Sequence, residues 1–545
     1  MKKIKAIVLC AGKANREIQS TISTSINSLA PINGKPVIGW IIDDLLSKKI
    51  ETITIVINKN QNKIKRYITS AYKMESISVE TTHGSNINQS IKDGLKKDLK
   101  KDRVLVILGD TLINEKTLNL KESCAFISLV DNPKKWCVIE TDNLGYIVKY
   151  TNKINSLSIK KSKALAGYYY FSSSKDLNLA VNKTISNKLE NISDVLMEYS
   201  KKNKIKAIST KNWFDFGNIE NFLKAKRELF LPRFFNSIRV NSNLNILYKK
   251  SSNIKKLEDE YNWYKKIPKN LQPFTPRIIS FVKKIKSAEI TQEYYGYPTL
   301  SELFIFSDFD AEMWKIIIKK ILMVHEEFRK NKNKINKNQI NKMYYLKTIN
   351  RLEKSKINKD NKKIIEEKTL ILNNKKLRGY LELKKDIYKY SNKLSENLES
   401  SIIHGDFCFS NILFDFSSQI VKLIDPRGSF GNKSIFGDPR YDIAKLRHSL
   451  SGGYDYIKSN MFVLKKLGDS FSLKIDKNKK LDDLSSYFDM QISKNGYNKR
   501  EIKFIEGILF LSMVPLHDDK PDHQLAFYLI GVEILNEVFS YGKSI

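Results

Sequence analysis

The chain has 545 residues, 41% of them hydrophobic, and a formal net charge of +36 at pH 7. That length exceeds one typical core, so two or three domains are expected, and the apolar content is ample to pack them. The charge invites a nucleic-acid reading, but the excess is almost all lysine scattered among Asn and Ile (KNKNKINKNQINK at 330–342). Phosphate clamps and base readers cluster arginine instead, so no specific nucleic-acid partner is expected. A positive field of this size still helps to collect anionic nucleotides.

Cys10, Cys124, Cys137 and Cys408 show neither CxxC pairing nor metal-ligand spacing, which points to reduced thiols in a cytoplasmic protein. The basic start is followed by an apolar run, Ala6 to Cys10, too short for a secretory h-region. No run approaches the length of a membrane span, so no membrane insertion is expected. Oligomerisation is left open.

Ile4 to Leu9 reads as a buried strand that runs at once into Cys10-Ala11-Gly12-Lys13-Ala14-Asn15-Arg16. A strand entering a small-residue loop with a basic residue can wrap phosphates with backbone N–H groups. Asn33-Gly34-Lys35-Pro36-Val37-Ile38 then leads into a helix through Leu46. Thr52 to Ile57 is a strand, and Val104 to Leu108 is a buried strand that ends in Gly109-Asp110. Strands alternating with helices predict an α/β domain with a doubly wound, mostly parallel, Rossmann-like sheet. Ligands of such sheets sit at the carboxyl ends of the strands, where Gly12 and Asp110 fall.

These segments resemble the nucleotidyltransferases that make nucleotide-sugars and CDP-choline, over about residues 3–230. Leu9 to Arg16 matches the family's LAAGxGxR with Ala14 at the second glycine. Leu29 to Ile38 matches its LxPxxGKPxI, and His83-Gly84-Ser85 sits where the base and ribose are read. Gly167-Tyr168-Tyr169 resembles the sugar-side strand, and Trp213-Phe214-Asp215 the later W-x-D. The resemblance implies that Ala11, Gly12, Lys13, Lys35 and Gly84 bind nucleotide and that Arg16 is catalytic. It also implies that Asp110 and Asp215 hold Mg2+. One position departs: the lysine of the family's PKxL falls on Asn27, after Ile26 in place of proline. Either Lys13 or Lys35 substitutes for that cation, or the domain binds nucleotide without turning it over well.

A joint is placed at 231–236, which bounds a domain at 1–230. Beyond it, Ser242 to Ser251 reads as a strand carrying Lys249 and Lys250, and Lys255 to Tyr264 as a helix carrying Glu260. A strand lysine held by a helix glutamate is a grip for nucleotide phosphates, and Lys249 with Glu260 fits best. Thr291 to Gly296, with Glu293, resembles the hinge that receives adenine in kinases. From Met313 to Leu398 the pattern is long amphipathic helix, with a mobile stretch at 330–342, and Tyr454 to Ile545 is again mainly helical. His517 is either a pocket residue or a capped helix-end histidine.

The densest chemistry lies at 400–450. His404-Gly405-Asp406 is followed by Asn411, and Asp425 ends an apolar run. Ile412–Phe414 and Ile420–Ile424 read as a hairpin that brings Asn411 and Asp425 to one end. An aspartate, an asparagine and a second aspartate in this order supply a base and metal ligands for phosphoryl transfer. HGDFCFSNILF with LIDPRG resembles the aminoglycoside phosphotransferase and choline kinase family. That resemblance implies Asp406 as catalytic base, Asn411 and Asp425 as Mg2+ ligands, and Asp438 and Asp442 as braces of the loop.

The expectation is thus an N-terminal nucleotidyltransferase-like domain joined to an α+β protein-kinase-like domain at 237–545, with an N-lobe at about 237–297 and a helical C-lobe at about 298–545. Its function would be bifunctional. ATP phosphorylates a small alcohol, amino alcohol or sugar, and CTP or another NTP then activates the phosphate for surface polysaccharide. The alternative is a kinase with a nucleotide-sensing N-terminal half.

Overall fold

Lys5–Leu9 (β1) is buried at all five positions, as a strand must be when helices cover both faces of its sheet. The computed structural model describes residues 4–14, 16–50, 52–73, 76–84, 86–96, 103–118, 120–152, 161–229, 236–354, 357–396, 398–468, 470–478 and 481–540. Asn15, Ser85 and residues 231–235 of the expected joint lie outside the described residues. The chain divides into two units, residues 1–229 with 306–308, and residues 230–305 with 309–545.

In the first unit β1 is followed by α1 (Arg16–Ile22), α2 (Val37–Ser47), β2 (Thr52–Asn58), α3 (Asn62–Ala71), β3 (Ile77–Thr82), α4 (Ile87–Leu95) and β4 (Val104–Leu108). Next come β5 (Thr111–Ile113), β6 (Cys124–Val130), β7 (Cys137–Thr141), β8 (Ile147–Asn152) and β9 (Ser162–Phe171). The unit closes with α5 (Ser174–Ser186), α6 (Ile192–Ser200), β10 (Lys206–Ser209), β11 (Trp213–Asp215) and α7 (Ile219–Glu228). Strands β3, β2, β1 and β4 are parallel neighbours in that order. Strands β9, β7 and β8 continue the sheet antiparallel, and β6 pairs with β9 and β10. The order reverses between β1 and β4, so the loops after these two strands flank the crevice in which open α/β sheets bind ligands. Ile7, Val56, Val106 and Tyr169 lie in the core cluster under that crevice.

In the second unit β12 (Asn236–Asn241), β13 (Ile246–Ser251), β14 (Ile278–Lys283) and β15 (Ala288–Glu293) form an antiparallel sheet in the order β12-β13-β15-β14. Helix α8 (Ile254–Lys266) packs on it through Leu257 against Ala288 and Ile290. The helices α9 (Ala311–Arg329), α10 (Lys347–Lys354), α11 (Tyr380–Leu394), α12 (Pro439–Leu450), α13 (Lys499–Met513) and α14 (Pro521–Ser540) make up most of the remainder.

Two readings need correction. A second antiparallel-rich sheet interrupts the expected run of helices: β16 (Thr369–Leu372), β17 (Lys375–Arg378), β20 (Phe462–Leu467) and β21 (Ser470–Ile475), in the order β17-β16-β21-β20. Asn373 and Asn374, at φ 47° and 66°, form the turn between β16 and β17, the left-handed pair that a two-residue hairpin demands. Residues 330–342 are also ordered in part. Lys337–Asn341 is helical, Asn336 and Gln339 form a capping box, and Gln339 Nε2 donates to Phe430 O at 3.1 Å. The intervening strands β18 (Ile412–Asp415) and β19 (Ile420–Leu423) form the expected hairpin, with Ile412 opposite Leu423.

Candidate functional sites

The loop after β1 leaves Gly12 and Lys13 exposed, and Arg16 is exposed at the start of α1. Gln61 Nε2 donates to Gly12 O at 3.2 Å, and Ala14 N to Ser25 O at 2.9 Å, so the loop is anchored while its rim stays open. Ala11 is half-buried beside it. Gly109 lets the neighbouring strands close up: a Cβ there would lie 2.6 Å from both Cys10 Sγ and Leu9 O. That approach sets Asp110 next to the loop.

Asp215 reaches Asp110 because β11 pairs antiparallel with β5, which places Asp215 opposite Thr111. Phe216 N donates to Asp110 O at 2.8 Å. A point at the Cβ position of Gly217 is 3.0 Å from Asp215 Oδ1 and 3.1 Å from Asp110 Oδ2, so both carboxylates converge on one spot. Asp215 accepts from Trp136 Nε1 (3.1 Å), Gly217 N (2.8 Å), Asn218 Nδ2 (3.0 Å) and Asn221 Nδ2 (3.2 Å). Burial, and then the charge of Asp215, push the Asp110 carboxyl up to about 6. Asn27 donates to Asp110, yet its own Oδ1 is buried with no hydrogen-bond partner.

Other nucleotide candidates are placed differently. Lys35 is ion-paired with Asp43 and lies 5.1 Å from the Trp40 ring, so its ammonium is engaged by side chains of α2. Gly84 N donates to Thr82 Oγ1 at 3.1 Å, and a Cβ on Gly84 would strike Gln89. Tyr168 and Tyr169 are buried in β9, so their rings pack the core.

In the second unit the alternation of β13 turns Lys249 inward and leaves Lys250 exposed. Lys249 Nζ donates to Glu260 Oε1 and Oε2 at 2.8 and 2.7 Å and to Asp425 Oδ1 at 2.8 Å. Burial alone would lower this lysine, but Asp425 and Glu260 outweigh it and hold it charged. Glu293 instead accepts from Tyr295 OH (2.9 Å) and Arg277 N (3.0 Å).

Asp406 sits in a tight loop. Gly405 has φ +77°, and Arg427 Cβ would lie 2.9 Å from a Cβ on it. The Asp442 carboxylate accepts from His404 N and Gly405 N at 2.7 and 2.9 Å. Asp438 caps α12 and accepts from Tyr344 OH at 2.9 Å. Asn411 Nδ2 donates to Asp406 Oδ2 at 3.1 Å, and Lys445 Nζ pairs with Oδ1 at 2.9 Å. Burial would raise Asp406, but Lys445 and Arg427 hold it well below the usual carboxylate range. Its side chain remains 34% exposed, so the carboxylate is open on one side. Asp425 closes this group with a left-handed backbone, φ 58°. His404 is buried against Trp263 and Phe407, and His517 packs on Phe527.

Sequence reasoning missed Trp136, Asn218 and Asn221 around Asp215, and Lys445 and Arg427 around Asp406. Arg427 lay inside the quoted LIDPRG and carried a signal. Lys445 is one lysine among many and carried none.

Residues 5–230 match the family model described as nucleotidyl transferase. The first unit is a nucleotidyl transferase domain. Over 228 residues the chain is 25% identical to the Campylobacter jejuni D-glycero-alpha-D-manno-heptose 1-phosphate guanylyltransferase, covering 40% of this chain and 97% of that protein. The Haloferax volcanii low-salt glycan biosynthesis nucleotidyltransferase Agl11 is 26% identical over 182 residues, which are 31% of this chain and 49% of that protein. The CTP:phosphocholine cytidylyltransferase structure from Streptococcus pneumoniae aligns with a TM-score of 0.35 at 15% identity, covering 41% of this chain and 98% of that one. Among the described residues no helix is long and apolar enough to cross a membrane.

The nucleotidyl transferase domain suits a divalent cation at Asp110 and Asp215: two carboxylates converge, burial and then the charge of Asp215 raise Asp110, and among the described residues no cation is paired with either. Bound there, Mg2+ would neutralise charge on the reacting phosphates. Protons would compete with such a cation for Asp110, whose carboxyl burial and Asp215 push up to about 6. The Mg2+ concentration for half-maximal nucleotidyl transfer is therefore expected to rise about tenfold per pH unit below that value and to level off above it. Metal titrations of the initial rate across the acid range check this.

Proposed function

We propose that the chain is a bifunctional enzyme in which a phosphorylated small molecule made by the second unit is the acceptor for the first. In the second unit Asp406 takes the proton of a substrate hydroxyl as its oxygen bonds to the γ-phosphorus of ATP, and ADP leaves. Lys249 grips the ATP phosphates and is held by Glu260. In the nucleotidyl transferase domain an oxygen of the new phosphate attacks the α-phosphorus of a second nucleotide, and pyrophosphate leaves. The loop at Ala11 to Lys13 cradles that triphosphate, with Arg16 beside it.

The observation that supports this reading is that one chain holds two separate carboxylate groups suited to phosphorus chemistry, Asp110 with Asp215 and Asp406 with Asn411 and Asp425. The relatives whose names mention heptose phosphate and glycan biosynthesis favour a sugar phosphate and a glycan precursor. Purified protein with ATP, Mg2+, each NTP in turn and a panel of hydroxyl acceptors is expected to release pyrophosphate only when ATP and the acceptor are both present. Release of ADP without pyrophosphate from any NTP would overturn the nucleotidyl half.

A second reading, a domain that binds nucleotide without turning it over, is favoured by Asn27. Its neutral amide stands beside Asp110 where a cation is expected, with a buried, unpartnered oxygen. Asn27→Lys separates the two. A working transferase changes little, whereas a binding module gains about 100-fold or more from a near-zero start. The readout is pyrophosphate release with presynthesised sugar 1-phosphates.

A further inference from the structure

We infer that the acceptor of the second unit carries an anionic group, a phosphate ester or a carboxylate, held by Arg427, Lys347 and Arg351 beside Asp406. The inference rests on the kinase reading of that unit and specifies its substrate class.

Four basic side chains lie within the field of Asp406. Lys445 Nζ is 2.9 Å from its Oδ1. Arg427 Nη1 and Lys347 Nζ both donate to the hydroxyl of Tyr441, at 2.8 and 3.3 Å. Arg351 reaches the carbonyl of Ser512 at 2.8 Å, and the charge of Arg427 acts on it. Asp406 is the carboxylate whose field reaches all four. Asp442, the other acid near Arg427, is spent on the amides of His404 and Gly405.

The contrast with the structural arginines of the same unit decides what these cations are for. Arg447 is paired with Asp489 and Glu506, and Arg440 with Asp438 and Glu501. A half-buried guanidinium is ordinarily matched in that way, because desolvation without a counter-charge is costly. Among the described residues Arg427, Arg351 and Lys347 have no such carboxylate, and burial with the neighbouring cations drives Lys347 well below the usual lysine value. Such a cluster is stabilised when an anion arrives.

Position separates that anion from ATP. Asn411, a candidate metal residue, bonds Asp406 Oδ2, whereas Lys445 takes Oδ1, so the cationic cluster begins at the oxygen that Asn411 does not use. The ATP phosphates have their own lysine in Lys249. The cluster therefore faces the acceptor. Its anionic group stays unchanged while the reacting hydroxyl loses its proton to Asp406 and bonds to the γ-phosphorus. Choline-like cations would be repelled.

The test is ADP release by the full chain with ATP and Mg2+ over four acceptor arms: hexose and heptose monophosphates, hydroxy acids such as glycerate and hexuronates, neutral sugars and polyols, and choline with ethanolamine. A member of one of the first two arms is expected to exceed its neutral counterpart by about 100-fold in kcat/KM, and the arm that responds tells phosphate from carboxylate. Arg351→Gln and Lys347→Gln should each raise KM for that acceptor about tenfold or more, leave KM for ATP unchanged, and be partly rescued in Arg351→Lys. Inorganic phosphate should compete with the acceptor and not with ATP. Best turnover of a neutral or cationic acceptor, or variants that raise KM for ATP instead, would overturn the anionic assignment and leave the kinase reading standing. No ADP release in any arm would overturn the kinase reading itself.

Discussion

Asp406→Asn is expected to lower ATP-dependent phosphorylation by about 100- to 10,000-fold, the range in which a positioned general base acts. The amide cannot take the hydroxyl proton, and it leaves Lys445 and Arg427 without the carboxylate that they stabilise. Those cations keep Asp406 ionised in the folded protein. Because its folded value is depressed, its contribution to stability is complete above the unfolded value of about 4 and is lost only as pH falls through the lower folded value. The rate profile near neutrality should accordingly show no limb from Asp406. Thermal melting checks that the variant is folded, and pyrophosphate release from presynthesised phosphorylated acceptor checks that the nucleotidyl step persists. A residual rate within tenfold of the parent would remove Asp406 from the role of base.

Asp215→Asn should have a comparable effect on the other step, about 100- to 1,000-fold in nucleotidyl transfer, because it removes one of two carboxylates converging beside Gly217. Asp215 also accepts from Trp136, Gly217, Asn218 and Asn221, so an amide turns one donor against another. A loss of roughly 1–3 kcal/mol in stability should accompany the change. ADP release by the second unit serves as the internal control. If it falls in parallel, the variant reports unfolding. Removing the charge of Asp215 should also bring Asp110 down from about 6, since that charge contributes to raising it.

How far the sequence could be read depended on whether a residue's role is set by its neighbours in the chain. The buried run of β1 and the Gly109-Asp110 turn after β4 are local, and they led to the sheet and its crevice. The match over residues 5–230 belongs to the same stretch. The choice between Lys249 and Lys250 needed the side of β13 that faces α8, which the strand's own alternation decides only once α8 is in place. The hairpin at Asn373-Asn374 had a turn signal that the lysine-rich text around it obscured. Lys35 looked available because Asp43, two helical turns on, is an unremarkable acid in sequence. Arg427 and Lys347 meet at Tyr441, and Lys445 at Asp406, only in the folded chain, and no spacing rule joins these residues or Arg351.

Asp425 narrows the paths open to mutation. At φ 58° a β-branched or bulky residue is strained by about 1–2 kcal/mol, while Asp and Asn tolerate the conformation. Glutamate would keep the charge and move the carboxylate one methylene away from Lys249. Asparagine would keep the turn and surrender the charge. The charge-removing change that disturbs the backbone least is therefore chemically the smallest one. On the proposed reading, a descendant of this chain could lose phosphoryl transfer at Asp425 and keep its shape, surviving as a binding protein that its outline would not distinguish from an enzyme.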